Sequence, residues 1–318
     1  MNRAFRIAGA ALLVAPLLFI SPGTRAAAQT GDQIVIATPP NDSSGEVFYA
    51  ADMGFFKKAG LNVKLVPMNN AGGVTPAVLS GTVTIGGLSV PSIAIAREKG
   101  VPITIVAPGS VYSSAAPTSG IIVLKNSPLH TAADLNGKTL ATRDLSNLSY
   151  YGANTWIDKN GGDSKSIKWI ELSDTADVAA MQQGRIDAAS VSEPALDDAI
   201  HGAGRMLAPV YDAIGDKFLI AGFFTTADYA NAHPVAMRKF AAAIIAAGKW
   251  ANQNHARSAK ILEKYAGIPI PLNYTRVTYA ERLRAEDAQP VLDMLKSYGA
   301  LKSSVSAADL FSPIVYGR

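Results

Sequence analysis

The sequence predicts an α/β protein made of two similar lobes, one inserted in the other. Three observations carry that expectation. Strand-like and helical runs alternate from Ile34 to Val210, the pattern of a mostly parallel sheet with helices on its faces. The chain matches itself when shifted by 103 positions, and glycines stand near both places where it must cross between lobes.

Taken in order, Ile34–Ala37 is the first strand, and the loop from Pro39 to Phe48 follows it. Phe48, Ala51 and Phe55 recur at helical spacing, Lys57 and Lys58 suit a helix C-terminus, and Gly60 suits the stop. The aromatic and basic cluster Phe55–Lys58 therefore reads as a helix end. Leu61–Val66 alternates apolar with polar residues, as a half-buried strand does. Further strands are predicted at Val83–Gly86, Ile103–Ala107, Ile121–Leu124, Thr139–Thr142, Ile167–Leu172, Ile186–Ser190 and Leu219–Phe224. From Pro234 to Ala266 the pattern is helical, with Met237, Phe240, Ile244 and Ala247 on one face, and Gly267 and Pro269 stop it. Pro290 starts a shorter helix that Gly299 ends.

The internal repeat is specific in its order. A shift of 103 lays "SGTVTIGGLSVPSIAIA" (Ser80–Ala96) on "QGRIDAASVSEPALDDA" (Gln183–Ala199), so Ser89 meets Ser192 and Pro91 meets Pro194. One position further, "IAT" meets "LAT" (Leu140–Thr142) and "VKLVPM" meets "IKWIEL". The expected division is 29–119 for the first part of lobe 1, 120–221 for the inserted lobe 2, and 222–318 for the helical remainder of lobe 1. The crossings fall near Ser119–Gly120 and Ala221–Gly222, where glycine suits a hinge.

Residues 1–28 read as a secretory signal: Arg3 and Arg6 lead, Ile7–Ile20 is apolar, and Ala26–Ala28 offers a cleavage site. The expected mature chain starts at Gln29 and is an exported, periplasmic protein not embedded in the membrane. It carries 26 basic and 25 acidic residues, so the basic balance belongs to the signal and a nucleic-acid partner is not expected. With no cysteine, the chain has no disulfide, no thiolate metal site and no cysteine nucleophile.

Chemistry is sought where strands hand over to helices. His130, His201, His233 and His255 show no ligand spacing, so no metal is expected, and no cofactor or catalytic constellation is read. "AADLNGKT" (Ala132–Thr139) ends like a phosphate-binding loop, but its leading glycine is missing and a strand follows it. In open α/β sheets ligands bind outside the carboxyl ends of strands. Those ends carry Asn41, Asp42, Ser43 and Ser44, Asn69 in "NNAGG", Ser89, the loop Arg143–Tyr151 with Asn147, and Ser192 with Glu193. Simple N-capping explains several of them equally well. Converging helix starts with Arg143 favour a small oxyanion. Asp42, Glu46, Asp144 and Glu193 either bind an ammonium or aminopyrimidine or pair with Arg143, and Tyr112 and Tyr150 offer ring faces. An amphoteric or ring-bearing ligand stays open.

The run "A…GFF…AGLNVKL", "SG.V.IGG", "DLNGKTLAT", "QGRIDAASVSEP" resembles the periplasmic solute-binding proteins for nitrate, sulfonate, taurine, bicarbonate and thiamine-precursor pyrimidines, over roughly Ile34 to Phe311. The resemblance implies a type II periplasmic binding fold, a monomer that closes on a small-molecule solute and delivers it to the permease and ATPase subunits of an ABC importer. It also implies ligand contacts from Asn41–Gly45, Ser89, Arg143–Tyr150 and Glu193. "TRDLSN" departs from the small glycine- and serine-rich loop expected there. The alternatives are an enzyme on the same fold, similar to the yeast-type pyrimidine synthase, and a periplasmic sensor subunit. The enzyme reading expects a cytosolic chain with a cysteine-rich motif, which this sequence lacks.

Overall fold

The first strand sets the frame. In β1 (Ile34–Thr38) four of the five residues are buried and Val35 is half-buried, because sheet neighbours flank it on both edges. The computed structural model describes residues 33–68, 71–267, 269–272, 274–303 and 305–316. The expected export signal at 1–28 and the candidate Asn69 lie outside the described residues.

Twelve further strands follow: β2 (Val63–Pro67), β3 (Ile85–Ser89), β4 (Ile103–Pro108), β5 (Ser110–Ser113), β6 (Ser119–Leu124), β7 (Thr139–Thr142), β8 (Lys168–Glu171), β9 (Ala188–Ser192), β10 (Gly204–Pro209), β11 (Lys217–Leu219), β12 (Ala221–Thr226) and β13 (Thr278–Tyr279). They form two five-stranded sheets, ordered β2-β1-β3-β12-β4 and β8-β7-β9-β6-β10, and a small sheet β11-β5-β13. In each large sheet the first three strands are parallel, and one strand arriving from the other half of the chain runs antiparallel. The two lobes are thus alike in topology, as predicted.

The repeat is visible in the strand register. Ile36 lies opposite Leu65 and Ile85, while Leu140 lies opposite Trp169 and Ala188, so equivalent positions sit 104, 104 and 103 residues apart. At the carboxyl ends, Ser89 of β3 faces Ala221 of β12, and Ser192 of β9 faces Ser119 of β6. A Cβ on Gly120 would stand 2.8 Å from Met206 Sδ and 3.0 Å from the Ala208 carbonyl, so close strand approach requires glycine there.

Other expectations need adjustment. The predicted helix through Phe48 and Phe55 is two helices, Glu46–Asp52 and Phe55–Lys58, separated at Gly54, whose φ of 74° L side chains rarely adopt. Phe56 is buried and stacks on Phe240 with ring centroids 5.8 Å apart, which makes the aromatic cluster packing material. The helical stretch from Pro234 is likewise two helices, Pro234–Asn252 and His255–Ala266. Met237, Phe240, Ile244 and Ala247 are its buried face, as the period indicated. Among the described residues no helix is long and apolar enough to cross a membrane.

Candidate functional site

Four strand ends meet across the gap between the two large sheets. β1 and β3 contribute from one lobe and β7 and β9 from the other, around a cleft of about 300 Å³. Asn41, Ser43, Ser44, Ser89, Arg143, Asn147, Ser192 and Glu193 all line it. Gly45, Tyr112 and Tyr150 do not. A Cβ on Gly45 would sit 2.5 Å from the Tyr49 hydroxyl, so it lies beneath the wall, against the buried tyrosines. Tyr112 is buried between Tyr211 and Phe218, and its hydroxyl donates to Asp212. Tyr150 packs on Tyr151 and Trp169.

Two helix starts open on the cleft. Ser89 caps the helix Val90–Glu98, its Oγ accepting from the Ser92 N–H at 3.4 Å, and Ser92 also lines the wall. Asn147 caps the helix Leu148–Lys159, its Oδ1 accepting from the Tyr150 N–H at 2.8 Å. Each end presents roughly half a unit of positive charge, but at the first the Val90 N–H is spent on the Ile220 carbonyl at 2.9 Å and Pro91 has none. At the hinge side of the floor, Ser149 Oγ lies 2.9 Å from Ser192 Oγ and 3.0 Å from the Tyr211 hydroxyl, and Ser119 joins the chain at 3.3–3.4 Å. These serines bond to one another and to a phenol. No histidine is among the residues that line the cleft.

Among the described residues Arg143 is the one basic side chain of the lining, and its partner is neither Asp144 nor Glu193. It pairs with Asp174, which follows β8 and also lines the cleft. The guanidinium stays about half exposed (52%), whereas Asp174's side chain is nearly buried (8%). Asp144 instead accepts from the Ser146 N–H and hydroxyl, both at 2.6 Å. Glu193 accepts from the Asp197 N–H at 3.1 Å, and burial pushes its carboxyl up to about 7. One guanidinium therefore faces three acidic side chains. Asn41 Oδ1 adds a buried acceptor without a hydrogen-bond partner among the described residues.

Asp42 is no ligand for an ammonium. Its side chain, 3% exposed, forms a two-pronged ion pair with Arg276, which donates from Nε at 2.7 Å and from Nη2 at 2.6 Å. The hydroxyls of Tyr274 and Tyr279 donate to the same carboxylate at 3.2 and 2.9 Å. Ser110 of β5 donates to the Ser43 carbonyl at 3.0 Å. The Asn41–Ser44 wall is thereby tied both to the C-terminal segment and to a strand that crosses between lobes.

Two buried acids near the site have no hydrogen-bond partners for either carboxyl oxygen among the described residues: Glu46 and Asp177. Burial holds Glu46 well above the usual carboxylate range, with Asp42's charge adding to the effect. Burial, with Asp174 adding and Arg143 opposing, raises Asp177 to about 7. Folded, such a carboxyl keeps its proton while the unfolded chain has already lost one, so stability present below the unfolded value drains away as pH rises toward the folded value. The unfolding free energy should fall between about pH 5 and 7, by up to about 1.4 kcal/mol per pH unit for each group. Urea titrations of the wild type and Glu46→Gln check this. The variant should show the shallower decline, and parallel profiles would contradict it.

A model of the family described as NMT1/THI5 like matches residues 41–257. The taurine-binding periplasmic protein of Escherichia coli (strain K12) is 27% identical over 208 residues, which cover 61% of this chain and 59% of that relative, less than two thirds of its length. Among solved structures, the periplasmic aliphatic sulphonate binding protein from Escherichia coli superposes with a TM-score of 0.74 at 20% identity, covering 91% of this chain and all of that one. A desulfurization enzyme superposes with a TM-score of 0.67 at 12% identity, covering 90% of this chain and 98% of that one. These likenesses establish the two-lobed fold of the periplasmic binding proteins, and one fold carries both binding and catalysis.

Proposed function

The chain belongs to the NMT1/THI5-like family, and from there we propose that it is the periplasmic solute-binding component of an ABC importer. It captures a small anionic or amphoteric organic solute by lobe closure and delivers it to the permease and ATPase subunits. The observation that carries this reading is the cleft itself. Hydroxyls, two helix starts and Arg143 converge from both lobes on one space of about 300 Å³, small enough for a compact solute.

The acidic side chains narrow the class. A bare anion such as nitrate meets Asp144, Asp174 and Glu193 with only Arg143 to offset them. An amphoteric solute uses both sets, its oxyanion on the helix starts and Arg143, its N–H groups on Glu193 and the free Asn41 acceptor. The taurine-binding relative supports the same class. The serine hydroxyls of the floor bond to one another and to Tyr211, which orders them as a polar wall for a bound solute.

A thermal-shift series with taurine, longer aminosulfonates, alkanesulfonates, nitrate, bicarbonate and aminopyrimidines tests the reading. A solute bound only to the folded state adds about 2.7 kcal/mol at a hundredfold excess over Kd. Amphoteric compounds should shift the melting point more than nitrate or simple alkanesulfonates at equal concentration. No stabilisation by any of them would contradict the proposal.

A further inference from the structure

Both connections between the lobes run side by side, as the antiparallel pair β5 and β11, and β13 pairs on the other edge of β5. Residues of β5 alternate between the two faces of this small sheet. Tyr112 packs on one face with Tyr211 and Phe218. The other face, at Val111 and Thr278, opens on a second cavity of about 540 Å³.

Three separate chain segments send basic side chains to this cavity. Lys217 comes from β11, Lys249 from the helix Pro234–Asn252, and Arg282 and Arg284 from the loop after β13. Two carboxylates of the lining, with Glu286 beside Arg284, stand against these four cations, and all three are engaged. Glu281 accepts from Asn252 Nδ2 at 3.2 Å, and Asp287 lies 3.6 Å from Arg284, which also holds Glu286 at 2.8 Å. Among the described residues, Lys217 and Lys249 form no ion pair. Lys217, Lys249 and Arg282 are exposed, so water and salt damp their mutual repulsion, while the concave surface they share focuses a positive potential there.

We propose that this cavity is a second binding site, taking a compact oxyanion of two or more negative charges, and that the bound anion ties the crossing strand β11 to the C-terminal segment. The site is separate from the interlobe cleft, with which it shares no lining residue. It also touches the cleft's scaffold. Tyr279 lines the cavity, and its hydroxyl donates to the Asp42 carbonyl at 3.0 Å and to the Asp42 carboxylate, directly beneath the Asn41–Ser44 wall.

Inorganic phosphate is the probe, titrated calorimetrically at constant ionic strength against wild type, Lys217→Glu/Lys249→Glu and Arg143→Ala. The wild type and Arg143→Ala should bind phosphate alike. The charge-reversed variant should lose about tenfold or more in affinity. Phosphate should also slow amide exchange in Val111–Ser113 and Lys217–Leu219 of the wild type. If the charge-reversed chain does not fold, Lys249→Ala/Arg282→Ala, which alters two exposed side chains, serves in its place and should also weaken binding. The proposal is overturned if wild type does not bind phosphate, if Arg143→Ala alone abolishes binding, or if hinge-strand exchange is unchanged at saturation.

Discussion

Replacing Arg276 with alanine is expected to lower the unfolding free energy by about 3–5 kcal/mol, because it strands the Asp42 carboxylate in the interior. Both side chains are at most 5% exposed, so water does not replace the lost bonds. The tyrosine hydroxyls of Tyr274 and Tyr279 still donate to Asp42, which places the loss within that range rather than beyond it. Arg276→Lys keeps the charge but not the paired geometry, and should recover only part of the stability. The damage should also reach the cleft, since the same carboxylate anchors the loop that carries Asn41, Ser43 and Ser44. Urea unfolding at pH 7 measures the first effect. A loss below about 1 kcal/mol would mean that the pair does not organise this wall.

Arg143→Ala should weaken the best-binding oxyanion of the thermal-shift series by about 2–4 kcal/mol, roughly thirty- to a thousandfold. The guanidinium is half exposed toward the cleft, with donors left over after the Asp174 pair. Removing it also leaves Asp174 unpaired in a nearly buried position beside Asp177, so some stability should go with the affinity. A second substitution separates the two effects. Arg143→Ala/Asp174→Asn should regain the melting point without regaining affinity. Recovery of both together, or an affinity within about threefold of wild type in the single variant, would make Arg143 a structural residue.

The strands that the sequence reading located share a property. Most are short apolar runs set between helical stretches, and the self-match at 103 and 104 positions reports equivalent registers in two sheets. β11 and β13 escaped because they are three and two residues long, too short for a period to show itself. β10 escaped because its burial does not alternate cleanly along "GRMLAP". In the cleft, loop residues next to predicted strand ends were legible, since the fold class dictates where such ends point. Asp174 was within reach of the repeat, which lays Asn70 on it at a shift of 104. Tyr211 was lost along with β10, which it follows. The Asp42–Arg276 pair joins residues 234 positions apart through a segment without periodicity, and only the folded chain brings them together. Tyr112 and Tyr150 were aromatic residues in the right neighbourhood whose rings turn to packing.

The central claim is that a solute held between the lobes closes them about β5 and β11. A ligand shifts a conformational equilibrium only through its differential affinity, and only the closed form lets both walls of the cleft touch one small molecule. Small-angle X-ray scattering, with and without saturating amounts of the strongest binder, measures this directly. The account predicts a smaller radius of gyration in the bound state. A scattering profile that stays the same at saturation would contradict it.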